Sequence, residues 1–200
     1  MSFEWVNLET LAVVLGIGYL LLAMRESSLC WYCAFFSTAL YVWIFGDVSL
    51  YMESALNVYY MAMAVYGWLQ WQRGGVDKSG VKIIRWTARQ HILGVVIILG
   101  ASVTSGYLLS SNTAAELPYL DSFTTWGSVF TTIMVARKVL ENWLYWIVIN
   151  SVSIYLYIDR GLDQTAAMFF LYLVLATIGF STWKKAYDTQ NGQYSKCSYR

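Results

Sequence analysis

Two asparagines sit inside an otherwise apolar stretch, Glu141–Asp159, and they are the residues of this chain best suited to hold a ligand. At about 100° per residue, Asn142, Trp146, Asn150, Ser153 and Tyr157 share one narrow arc of a helix. A buried amide facing lipid costs several kcal/mol. The arc is therefore expected to face protein or a polar cavity. Indole, amide and hydroxyl together suit an aromatic ligand that carries hydroxyl groups. The competing reading is that the asparagines only glue helices together.

A second polar face lies on an earlier stretch. Glu53, Asn57, Tyr60, Ala64, Gly67 and Trp71 follow spacings of 4 and 3, which is one helical stripe. Thr165, Phe169, Tyr172, Ala176, Gly179 and Trp183 echo it near the C-terminus. Small residues in both stripes let backbones approach closely. Trp71 and Trp183 are also placed where an interfacial aromatic belt would put them. Glu53 reads as solvated or as holding a gate closed. Thr124, Thr125, Ser128, Thr131 and Thr132 crowd another segment. They suggest a wet interior or hydroxyls bonded back to their own helix.

The elements that must position these faces follow from composition. The chain is 58% hydrophobic and 12% charged, against about 25% charge in a soluble domain. That composition belongs to an all-α polytopic membrane protein. Seven apolar segments, about 4–24, 29–46, 50–72, 90–110, 119–136, 142–158 and 164–183, each approach the ~20 residues a bilayer requires. With the N-terminus outside, 12 of the 13 basic residues fall inside and only Arg160 falls outside. The positive-inside rule then predicts N-out, C-in. No cleavable signal peptide is evident, because Glu4 and Glu9 stand where basic residues belong.

The chain also repeats. At an offset of 112, Arg25 meets Arg137, Trp31 meets Trp143, Asp47 meets Asp159, Tyr60 meets Tyr172, Gly67 meets Gly179 and Trp71 meets Trp183. Segment 4 has no counterpart, so the order is 3+1+3. One span between two triplets gives them the same orientation, a parallel repeat. The expected organisation is a first three-helix repeat over 1–75 and a basic cytoplasmic loop with linker helix 4 over 76–118. A second repeat over 119–186 and a tail over 187–200 complete it. The repeat is uneven in polarity: Asn142 corresponds to Cys30, Asn150 to Thr38, and Asn57 to Phe169. A one-sided set of polar groups on a two-fold scaffold suits one asymmetric ligand.

Several functions lack support. A Walker A sequence is absent, and no lysine lies inside segment 7 to form a retinal Schiff base. One histidine and three cysteines form no convincing metal site. No cofactor is implied, and a net charge of +1 gives no hint of nucleic acid. Cys30-Trp31-Tyr32-Cys33 lacks the βαβ setting of a redox motif and reads as packing. His91 reads as interfacial. A carboxylate at mid-bilayer, common in ion-coupled carriers, is missing, which points towards facilitated diffusion.

ENWLYWIVINSVSIYLYI at 141–158, ESALNVYYMAMAVYGWLQWQRG at 53–74 and IGFSTWKK at 178–185 resemble the PnuC family of nicotinamide riboside transporters. The resemblance spans all seven segments. It implies a SWEET-like fold and uptake of nicotinamide riboside (vitamin B3) across a bacterial inner membrane. It also implies a homotrimer and trapping by a cytosolic nicotinamide riboside kinase. The want of a nucleophile–base or metal pattern argues against an enzyme. The proline tetrad of sugar-carrying SWEETs is missing, since Pro118 is the only proline.

For that substrate, Asn57, Gln70, Asn142 and Asn150 are expected to read ribose and carboxamide, because amides both donate and accept. Tyr60, Trp143, Trp146 or Trp183 would stack on the pyridinium ring. Two alternatives remain at this stage: a related carrier for another vitamin such as thiamine, or a heptahelical receptor that does not transport.

Overall fold

In the computed structural model the described residues are 3–47, 51–75, 80–112, 117–159, 161 and 163–198. Lys78, Glu116, Arg160 and Arg200, and the side chains of Glu4, Glu53, Lys196 and Cys197, lie outside the described residues. The described residues form seven α-helices, close to the seven apolar segments. They are α1 Phe3–Met24, α2 Cys30–Asp47, α3 Tyr51–Arg73, α4 Ala88–Asn112, α5 Pro118–Ala136, α6 Asn142–Asp159 and α7 Asp163–Ser198. Pro118 opens α5 in its first turn, where a missing N–H costs nothing and φ is preset.

The chain divides into two compact units, Met1–Lys82 and Ile83–Arg200. In the first, α2 packs against both α1 and α3. In the second, α6 packs against both α5 and α7, and α4 packs on α5. The helix at the centre of each unit is therefore α2 or α6, which correspond at the 112-residue offset.

The corner entering each central helix is built alike. Glu26 (φ 55°) and Lys138 (φ 51°) are both left-handed without being glycine. Glu26 N–H donates to Ala23 O and Ser27 N–H to Leu22 O, each 3.0 Å. Lys138 N–H donates to Val135 O and Val139 N–H to Met134 O, each 2.9 Å. This pair of bonds satisfies the last carbonyls of the preceding helix. The next bonds match too: Cys30 N–H to Ser27 O (3.0 Å) and Asn142 N–H to Val139 O (3.1 Å).

A shared lock follows each corner. Trp31 stands edge-on to Trp71, with centroids 5.4 Å apart and planes at 87°. Trp143 meets Trp183 in the same way, at 5.5 Å and 88°. A glycine lies against each indole: a Cβ on Gly67 would enter the Trp31 ring, and one on Gly179 would come within 2.7 Å of Trp143. Trp71 and Trp183 are buried, so neither belongs to an aromatic belt.

The apolar surface points outward as a lipid-facing protein requires. α4 buries only the stripe Gly94, Ile98, Ser102 and Gly106. Ile92, Val96 and Val103, each at least 60% exposed, lie on its open face. Water would penalise that face at about 25 cal/mol per Å². α4 and the Thr165–Gly192 part of α7 are long and apolar enough to span a bilayer, with mean hydropathies of 2.1 and 1.7. α7 continues far past the apolar segment that ends at Trp183. Its 36 residues give a rod of about 54 Å.

Candidate functional site

The arc of α6 that carries the asparagines is turned inward. Asn142, Asn150 and Ser153 are buried, and Trp146 and Tyr157 are half-buried. The opposite stripe, Leu144, Val148, Ser151, Tyr155 and Ile158, is exposed. α6 thus has a polar inner face and a largely apolar outer one, as the cost of an amide in lipid demands.

Asn142 is the most telling member. It is completely buried. Its Nδ2 donates to Val139 O at 2.7 Å. A carbonyl only accepts, so this bond fixes which end of the amide faces the turn. Oδ1 is then left pointing elsewhere, buried and without a protein partner. An unpaired buried acceptor costs about 1–3 kcal/mol. Such a group is a natural receiver for a ligand's hydroxyl or amide N–H. Asn150 lies eight residues further along the helix, about 12 Å away along the axis, with Trp146 between them.

Trp143 and Trp183 are brought together, but as the enclosed edge-on pair on Gly179. The Trp143 Nε1 has no protein partner. In the first unit, Asn57 and Tyr60 are half-buried neighbours on the α3 stripe, with Tyr59 and Tyr60 rings 5.5 Å apart. Gln70 lies off that stripe, half-buried, with its carboxamide against Gly74. Below Tyr60 the α3 stripe closes into packing at Ala64, Gly67 and Trp71. The α7 stripe closes likewise at Ala176, Gly179 and Trp183.

The hydroxyl-rich α5 divides between its two readings. Thr124 and Thr132 bond back to Asp121 O and Ser128 O. Ser122 Oγ and Thr131 Oγ1 are buried with no protein partner. Cys30 and Cys33 are both in the thiol form, with Cys30 buried at the start of α2, consistent with packing. A cavity of about 280 Å³ opens in the first unit between Trp31, Phe35, Ala64 and Trp68. Its wall is almost wholly apolar and includes none of the expected ligand-binding residues.

Sequence reasoning missed one polar cluster, just before α6. The buried carboxylate of Glu141 accepts from Arg85 Nε at 2.8 Å and from the Trp86 backbone N–H at 3.2 Å. His91 Nδ1 lies 3.0 Å from the Tyr145 hydroxyl, with the two rings stacked at 5.9 Å. Its Nε2 is 3.9 Å from Glu141. His91 is thus packed among aromatic and acidic groups. The Arg85 guanidinium is held above its ordinary arginine value, first by the hydrogen bond to Glu141 and then by that carboxylate's charge. Tyr187 and Asp188 of α7 act in the same direction. The only sequence signal was an acid directly before Asn142 and a basic loop 56 residues upstream.

The model of the nicotinamide mononucleotide transporter family matches residues 6–185. The nicotinamide riboside transporter PnuC of Escherichia coli K12 is 24% identical over 208 residues, covering 91% of this chain and 86% of that protein. The riboflavin/roseoflavin transporter RibM of Streptomyces davaonensis is 26% identical over 179 residues, covering 85% and 81%. The crystal structure of the vitamin B3 transporter PnuC superposes with a TM-score of 0.69 at 24% identity, covering 90% of this chain and 81% of that one.

Proposed function

The chain belongs to the nicotinamide mononucleotide transporter family, and from that membership we propose that it carries nicotinamide riboside across a bacterial inner membrane. It is a multi-pass helical membrane protein of a transporter family, which disfavours the receptor reading. The observation that carries the substrate reading is the buried, unpartnered Oδ1 of Asn142 on the inward face of α6.

The proposed mechanism is alternating access by facilitated diffusion, with N-out, C-in spans and a parallel 3+1+3 repeat. Support for the repeat comes from the matched corners at Glu26 and Lys138 and the matched indole locks. The site is assigned to Asn57, Gln70, Asn142 and Asn150 for ribose and carboxamide. Tyr60 or Trp146 stacks on the pyridinium, since both are partly open. Trp143 and Trp183 are enclosed and serve as the packed wall beside Asn142. Stacking on an aromatic face offsets about 2 kcal/mol or more of the cost of desolvating a cation, without a carboxylate that would hold it. A homotrimer and trapping by a cytosolic kinase complete the reading.

A second vitamin is favoured by one observation: a riboflavin transporter is a relative of similar identity. Riboflavin also joins a flat heteroaromatic ring to a chain of hydroxyls. Radiolabelled nicotinamide riboside should enter proteoliposomes holding the full chain without ATP or an ion gradient. Riboflavin that enters while the riboside does not would reverse the assignment. Binding without flux would return the chain to the receptor class.

A further inference from the structure

The second of the two matching corners carries a fastening of its own. In the second unit, an extra piece of backbone is fastened to the corner. Ile84 N–H donates to Lys138 O at 3.0 Å, and Leu140 N–H donates to Ile84 O at 2.8 Å. Ile84 and Val139 form a short parallel bridge. Arg85 Nε and Trp86 N–H then hold Glu141. Ile83 is buried, and its carbonyl accepts from Gln190 Nε2 of α7 at 3.2 Å. At the equivalent corner of the first unit, Leu29 stands where Glu141 does, and it is 60% exposed.

The fastened corner ends in the ligand-facing amide. Val139 O is the acceptor for Asn142 Nδ2. Whatever fixes that carbonyl fixes the amide plane of Asn142, and hence the direction of its unpartnered Oδ1. The backbone pairing with Ile84 brackets Val139 on both sides, through Lys138 and Leu140. Lys138 holds a left-handed backbone, a conformation unfavourable for a side-chain-bearing residue, and the pairing with Ile84 adds to the two capping bonds that hold it. The buried carboxylate of Glu141 sits at the α6 N-terminus, where the helix dipole favours a negative charge. Arg85 and Trp86 restrict it to one orientation.

We propose that Ile83–Trp86 is a strap that aims the Asn142 carbonyl oxygen at the ligand, with Arg85 and Glu141 as positioning residues that act through the Val139 carbonyl. This rests on the reading that α6 lines a riboside site. The strap is fastened to the corner that carries the asparagine; Cys30 stands at the equivalent place in the first unit. Neither Arg85 nor Glu141 needs to touch the substrate.

The test uses the full chain in detergent, with two readouts. In the first, Arg85→Ala is followed by amide hydrogen exchange. Exchange over residues 138–142 should rise at least about tenfold while residues 26–30, the equivalent corner of the first unit, stay unchanged. Unchanged exchange at 138–142 overturns the strap. In the second, nicotinamide riboside is titrated calorimetrically into a double-mutant cycle. Arg85→Ala should weaken binding about tenfold in the wild-type background and less than about twofold when Asn142 is already alanine. Equal losses in both backgrounds overturn the coupling to Asn142. Glu141→Gln, which keeps the side-chain volume and the Trp86 contact, should show the same non-additivity. Wild-type protein that gives no heat with riboside, while the exchange result stands, overturns the site reading and leaves the strap supported.

Discussion

Trp143 stands edge-on to Trp183 over Gly179, and no face of either ring is open. The arrangement is a weld between α6 and α7. Substituting Gly179→Ala would bring a Cβ within 2.7 Å of Cε3 and Cζ3 of Trp143. Overpacking of that kind costs about 1–3 kcal/mol, so thermal unfolding in detergent should occur at a clearly lower Tm. Gly192→Ala is the control. It meets nothing within 4 Å and lies in the same helix, so it should be neutral or slightly stabilising.

Asn142→Ala and Asn150→Ala, each verified as folded, should each weaken nicotinamide riboside by about tenfold, the size of one well-placed hydrogen bond. Calorimetry is the measurement. Unaltered affinity in both would remove α6 from the site.

Ring stacking separates two variants of one residue. Trp146→Phe keeps a flat aromatic face and should retain most of the affinity. Trp146→Ala loses it and should bind about thirtyfold more weakly, which corresponds to ~2 kcal/mol for a desolvated cation on an aromatic face. If both variants behave alike, Tyr60 becomes the stacking group, and Tyr60→Ala should then show the loss.

The family takes its name from the mononucleotide, yet the α6 stripe carries no cationic side chain. A phosphate brings nearly two negative charges that would have to leave water with no cationic side chain on that stripe to receive them. The riboside is therefore expected to bind and the mononucleotide to be rejected. Competition against labelled riboside measures this directly. Equal competition by the two would call for a cationic group at the site.

The spans were legible because lipid selects for long apolar runs, and the inward face of α6 was legible because amides in such a run cannot face lipid. Pro118 marked the start of α5 for a local reason, its fixed φ. The pairing of each indole with a glycine was only half legible. Gly67 and Gly179 read as places of close approach, but their partners Trp31 and Trp143 lie 36 residues away, and nothing in spacing points to them. The same holds for Glu141 and Arg85. Their contact depends on a backbone bridge between two turns, which leaves no periodic trace. The length of α7 was missed because the residues after Trp183 are polar, and their helix is continued by the preceding turns and not announced by an apolar stripe.

That continuation has a practical result. From Lys184 to Ser198 the α7 backbone stays helical, a rigid stalk of about 22 Å that is tethered on the way by Gln190. A fluorophore or a fused domain placed on its tip would not swing freely like one on a limp tail. It would keep a fixed bearing to the helix that carries it, which makes the end of α7 a built-in pointer to the orientation of that helix.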